Sequence, residues 1–159
     1  MSKRNEGMTQ MSYKVRGSQT YLESIDANRM RPSTTFAEVA FPIVTKDQSV
    51  SDSSLQTLTG RYKFKPDSWD FDFVEKFEIE FEFASAGAGE ITLYDATSDA
   101  QLQSLVLFSE AQSYTCERYD VTDVIKALTS DTKLAIQAKG DGSNATTVYK
   151  ATLIVTIKL

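Results

Sequence analysis

Four carboxylates crowd the stretch PDSWDFDFVE: Asp67, Asp70, Asp72 and Glu75. Two carboxyl groups flanking a bond can share acid, base and nucleophile roles, as in glycoside hydrolysis. A solvated acidic loop is the simpler reading of the group. Trp69 stands among these acids, and Tyr94 lies near Asp95 and Asp99. Aromatic rings beside acids and amides can present a saccharide-binding surface, so Trp69 and Tyr94 are the candidate ligand residues. A ring capping one end of the core is the plainer role for Trp69.

Other reaction chemistry is scarce. The chain has no histidine, so a Ser-His-Asp triad, a Cys-His dyad and a His-bearing zinc site are excluded. Cys116 is the only cysteine, so no intrachain disulfide can form, and the thiol is expected to pack as a small apolar group. The run Ser85-Ala-Gly-Ala-Gly89 lacks the Lys-Ser/Thr ending of a phosphate loop and reads as a turn. Asp141 and Asn144 alone are too few oxygen ligands for a calcium loop. Asn144-Ala145-Thr146 matches a glycosylation sequon, which has little weight without a secretion signal. No catalytic residue, no metal and no cofactor are expected, and the chain does not read as an enzyme.

The elements that would position these residues are strands. Their centre is Lys76–Ala84, KFEIEFEFA. Phe77, Ile79, Phe81 and Phe83 alternate with Glu78, Glu80 and Glu82, giving one apolar and one carboxylate face at a period of two. The apolar face must meet a second layer. The carboxylates are expected to stand beside outward lysines, with Lys63 and Lys65 or Lys150 and Lys158 as candidates.

Further strands are expected over 34–45, 55–65, 90–96, 101–108, 114–119, 132–139 and 147–159. Pro42 suits an edge or a bulge. Val121, Val124, Ile125 and Leu128 recur at helical spacing, predicting two turns capped by Asp120 or Thr122. In the last strand Tyr149, Ala151, Leu153, Val155 and Ile157 are expected on one face. The expected fold is all-β: an eight-stranded jelly-roll β-sandwich with one short helix and an extended N-terminal arm.

The arm, residues 1–33, differs from the sandwich domain, residues 34–159. It has six basic and three acidic residues, net +3, whereas the remainder has 11 basic and 19 acidic, net −8, for a total of −5. Its residues suited to holding a partner are Arg4, Tyr13, Lys14, Val15, Arg16, Tyr21, Leu22, Ile25, Arg29 and Arg31. The cations are dispersed and the sequence pI is about 4.8, which argues against nucleic acid. No apolar run reaches the roughly 18 residues of a membrane span, and no apolar stretch follows Lys3 and Arg4 as in a secretory signal.

The second half resembles a jelly-roll domain of the galactose-binding-like kind, as found in bacteriophage structural proteins and bacterial surface proteins. The resemblance rests on Ile91-Thr92-Leu93-Tyr94-Asp95-Ala96-Thr97, then Ile136-Gln137-Ala138-Lys139, then Ala151-Thr152-Leu153-Ile154-Val155, in that order. It covers roughly residues 72–159 and implies no catalytic residues. It implies a virion structural protein: a capsid decoration or cement protein, or a minor head or tail component. The arm would then order on the major capsid protein or another virion subunit, and the sandwich would assemble with copies of itself. Such a protein would reside in the virion, assembled in the host cytoplasm. The second reading is a carbohydrate- or host-surface-binding module using Trp69 and Tyr94.

Overall fold

The structure is a computed structural model, and it describes residues 35–159. Ten strands form two antiparallel sheets. They are β1 (Phe36–Val44), β2 (Gln48–Val50), β3 (Gln56–Thr57), β4 (Tyr62–Phe64), β5 (Val74–Ser85), β6 (Gly89–Asp95), β7 (Ala100–Phe108), β8 (Gln112–Asp120), β9 (Thr132–Lys139) and β10 (Thr146–Lys158). One helix, α1 (Thr122–Lys126), joins β8 to β9.

The first sheet runs β1-β10-β5-β8, with β2 also on β10; the second runs β3-β9-β6-β7, with β4 also on β9. β1 with β2, and β3 with β4, are thus interrupted strands, each pair lying along one neighbour. Counted that way, the eight strands are ordered 1-8-3-6 and 2-7-4-5, the jelly-roll arrangement of two interleaved Greek keys. The break between β3 and β4 falls at Gly60, whose φ is +120°. A Cβ there would lie 2.0 Å from the Ile43 carbonyl oxygen, so only glycine permits this approach of β4 to β1.

KFEIEFEFA lies inside β5, the interior strand between β10 and β8. Phe77, Ile79, Phe81 and Phe83 are fully buried, while the alternating glutamates are half-buried on the outer face. Ile91, Leu93, Leu105, Leu134 and Ile136 belong to the same core. Each such side chain contributes about 1.5–3 kcal/mol by leaving water, so this interface dominates the fold.

The expected helix forms over a shorter span. The N-cap is Val121 and no side chain caps the helix, which corrects the expected cap at Asp120 or Thr122. Asp120 Oδ1 instead accepts the Thr122 N–H at 2.8 Å in the turn that leads into it. Val121 N–H bonds to the Phe77 carbonyl at 2.9 Å, and Phe77 N–H to Thr122 Oγ1 at 3.0 Å. These two bonds fix α1 to the start of β5.

The expected face of β10 is corrected at one residue. Val148 pairs with Phe83 and Lys150 with Glu82, leaving Tyr149 as an extra residue. Two residues of β10 therefore stand opposite one of β5, a β-bulge. Val148, Ala151, Leu153 and Val155 point inward, and Tyr149 turns to the outer face with Lys150.

Candidate functional site

The outer face of the first sheet collects the most polar side chains around β5. Its rows follow from register: Glu82 stands between Lys150 and Cys116, Glu80 between Thr152 and Arg118, and Glu78 between Ile154 and Asp120. Lys150 Nζ lies 3.6 Å from Glu82 Oε2, and Lys76 Nζ 3.4 Å from Glu78 Oε2. Of the lysines expected beside this strand, Lys150 is present; Lys63 instead faces Asp131 at 3.9 Å, on the other sheet.

Arg118 organises the middle of this face. Its guanidinium lies 3.5 Å from Glu78 Oε1 and 3.5 Å from Glu80 Oε1, and it donates to both oxygens of Glu38 on β1. The hydrogen bonds from Arg118, and its charge, hold the Glu38 carboxyl below the usual range. The bond to Glu38 and the surrounding carboxylates push the Arg118 pKa up. A carboxylate strip that reads as acidic in sequence is therefore largely neutralised by its own sheet.

At one end of the face two tyrosines meet. Tyr114, on β8, is 60% exposed, and its hydroxyl donates to Glu82 Oε1 at 2.5 Å. Tyr149, carried out by the β10 bulge, places its ring centroid 5.5 Å from that of Tyr114 with 53° between the planes. Donation to Glu82, joined by partial burial and the nearby negative charge, raises the Tyr114 pKa to about 12. Cys116 follows Tyr114 on the same face, and its thiol is pushed up by desolvation and by Glu80 and Glu82. Cys116 is exposed rather than packed in the core, which corrects that expectation.

The candidate ligand residues are not brought together. Trp69 sits between two short 3₁₀ turns, Pro66–Ser68 and Phe71–Phe73. Its ring stacks on Phe64 at 6.2 Å and meets Phe41 and Phe77 edge-on at 5.8 and 5.9 Å, closing one end of the core. Tyr94 is half-buried on the outer face of the second sheet, opposite Gln101 and Ala135. Asp67, Asp70, Asp72 and Glu75 are all exposed, and Asp70 accepts the Asp72 N–H at 3.1 Å to start the second turn. Asp95 accepts from Thr97 and Ser98 within its own turn. Its burial raises its pKa, but the bonds from Ser98 and Thr97 outweigh that and leave it lowered. Among the described residues no cluster of three metal-ligating side chains occurs. Arg4, Tyr13, Lys14, Val15, Arg16, Tyr21, Leu22, Ile25, Arg29 and Arg31 lie outside the described residues.

Sequence reasoning missed the Tyr114–Tyr149 pair. Strict alternation sends Tyr149 into the core, and no residue type in TTVYKAT marks the bulge. Tyr114 stood in an expected strand, but its neighbour across β5 was not readable.

No family model matches the chain, and no curated protein matches it in sequence. Among solved structures it is similar to a family 29 carbohydrate-binding module, at 10% identity over 76% of this chain and 92% of that one, with a TM-score of 0.41. It is similar to a chain of the T13 particle of the virus abbreviated IBDV, at 11% identity, with a TM-score of 0.43 over 86% of this chain and 36% of that one. A chain of infectious bursal disease virus, Gx strain, is 11% identical over 87% of this chain and 37% of that one, with a TM-score of 0.41. The chain thus spans little more than a third of either viral chain. These are likenesses of β-sandwich shape; it is the strand order 1-8-3-6 and 2-7-4-5 that makes this chain a jelly roll.

Proposed function

We propose that the protein is a non-catalytic structural component of a virion, a capsid decoration or cement protein, that clamps neighbouring subunits through residues 1–33. The observation that carries this reading is that strands between Phe36 and Lys158 fill all eight positions of the jelly roll. The basic segment before them, net +3, is thus not needed to complete either sheet, while the remainder of the chain is net −8. A segment that orders only on assembly recovers its entropy cost from the partner's surface.

Two sheet edges also favour contact through an arm rather than through edge pairing. On β8, Glu117 pairs with Phe81 and so points a charge toward the core side of the sheet edge. On β7 the register with β6 shifts twice. Inward charges and bulges both discourage a further strand from adding. The carbohydrate reading finds less support in Trp69 and Tyr94, since Trp69 is committed to the aromatic end of the core.

The test compares the full chain with a truncation lacking residues 1–33. Thermal unfolding reports whether the sandwich survives, and co-sedimentation with particles from the source culture reports attachment. A folded truncation that no longer sediments supports the clamp. A truncation that sediments as well as the full chain overturns it.

A further inference from the structure

We propose that Tyr114, Tyr149, Glu82 and Lys150 form a binding site for a neutral pyranose ring, so that the outer face of the first sheet is a glycan-binding surface. This inference is independent of the clamp.

The site is built by one irregularity. The bulge in β10 turns Tyr149 out of the core and lays it against Tyr114 of β8, across β5. Bulges commonly re-aim a side chain beside a functional surface. With 53° between their planes, the two rings are tilted against each other and not stacked flat. Tyr114 is 60% exposed and the Lys150 side chain 56% exposed, with Tyr149 half-buried beside them, so this end of the face is open to solvent.

The chemistry of the lining selects the ligand class. A hexopyranose has a face of C–H groups and a rim of hydroxyls. The Tyr rings match the C–H face, being large apolar surfaces with few rotatable bonds. Glu82 accepts and Lys150 donates, which answers hydroxyls of both kinds. The hydroxyl of Tyr114 is tied to Glu82 Oε1, and Lys150 lies beside Glu82 Oε2, so the groups are held in place before a ligand arrives.

The charge of the site makes the choice narrower. Glu82 and Lys150 neutralise one another. A sulfated or carboxylated sugar would have to break that pair, as would a charged peptide side chain. An apolar peptide side chain would use the rings and leave the ion pair unanswered. A neutral saccharide uses both.

The experiment probes the full-length protein with an array of neutral and acidic oligosaccharides, followed by titration of the best neutral one by calorimetry. The proposal expects neutral pyranose chains to bind and acidic ones not to. Tyr149→Ala and Tyr114→Ala should each weaken binding by about tenfold or more, a shift of about 1.4 kcal/mol. Tyr114→Phe keeps the ring but frees Glu82, and should weaken binding by less than Tyr114→Ala does. Thermal unfolding of each variant guards against loss of fold. The proposal is overturned if no neutral glycan binds. It is also overturned if the Tyr114→Ala/Tyr149→Ala double variant keeps its affinity. If the folded double variant loses attachment to particles while the parent binds no array glycan, the patch is a protein contact instead.

Discussion

Arg118 and Glu38 form a two-pronged ion pair at 2.7 and 3.0 Å although two strands, β10 and β5, lie between the strands that carry them. To meet, both side chains must cross the outer face of the sheet. On the way Arg118 comes within 3.5 Å of Glu78 and of Glu80. The pair ties one edge of the sheet to the other, over strands already joined by backbone ladders.

Replacing Arg118 with leucine should therefore destabilise the sheet more than an ordinary surface change. It leaves Glu38, Glu78 and Glu80 facing one another and removes the charge beside Glu78 Oε1, which is already shielded from water and has no hydrogen-bond partner. The thermal midpoint should fall, on a scale of about 2–4 °C for each kcal/mol lost in a chain of this size. The fall should be smaller in 1 M salt, because exposed charges are screened there. Differential scanning calorimetry at two salt concentrations reads both effects.

The same pair sets a pH dependence. Glu38 is lowered by Arg118, and Asp120 by its bonds to Thr122. A carboxylate with a lowered folded pKa stabilises the fold above its unfolded value, and that stability is lost as pH falls through the folded value. Unfolded carboxylates titrate near about 4. The stability gap between the parent and the Arg118→Leu variant should be flat between about pH 5 and pH 7 and should narrow below about pH 4. Urea denaturation across that range measures the gap.

Trp69→Ala should act on stability. The ring touches Phe41, Phe64 and Phe77 at the end of the core. The cost should lie toward the lower end of the about 3–5 kcal/mol seen when large aromatics are truncated, since Trp69 is only partly buried. Chemical denaturation reads it directly.

Tyr114 should be slow to ionise. Its hydroxyl donates to Glu82, and its pKa rises to about 12. A raised value in the folded chain stabilises the fold below the unfolded value, near about 10, and that contribution disappears as pH rises through the folded one. Burial raises Tyr62 as well, so ultraviolet titration should show a late step in the parent that is smaller by one tyrosine in Tyr114→Phe.

Much of the architecture was legible because period-two patterning is unambiguous where one face is buried. Phe77 to Phe83 fix the face of β5, and a one-residue slip would bury three glutamates. The helix was legible from Val121 and Ile125, though only its central part is helical. The site was not legible, for a physical reason. Arg118 reaches Glu38 over 80 positions of sequence, and Tyr114 reaches Tyr149 only through strand order and a bulge. Patterning gives the face of a residue; it does not give its neighbour across the sheet. The acidity of β5 misled in the same way, since Lys150 and Arg118 arrive from the two flanking strands to balance it, beside Lys76 of β5 itself.

The bulge at Tyr149 has one more consequence. Excise that residue, and Val148 still faces Phe83 while Lys150 still faces Glu82. Alternation along β10 becomes continuous, and every core side chain keeps its place. The second ring of the tyrosine pair is thus carried by a single surplus codon. A lineage could acquire or discard this surface in one insertion or deletion event, leaving the sandwich beneath it unchanged.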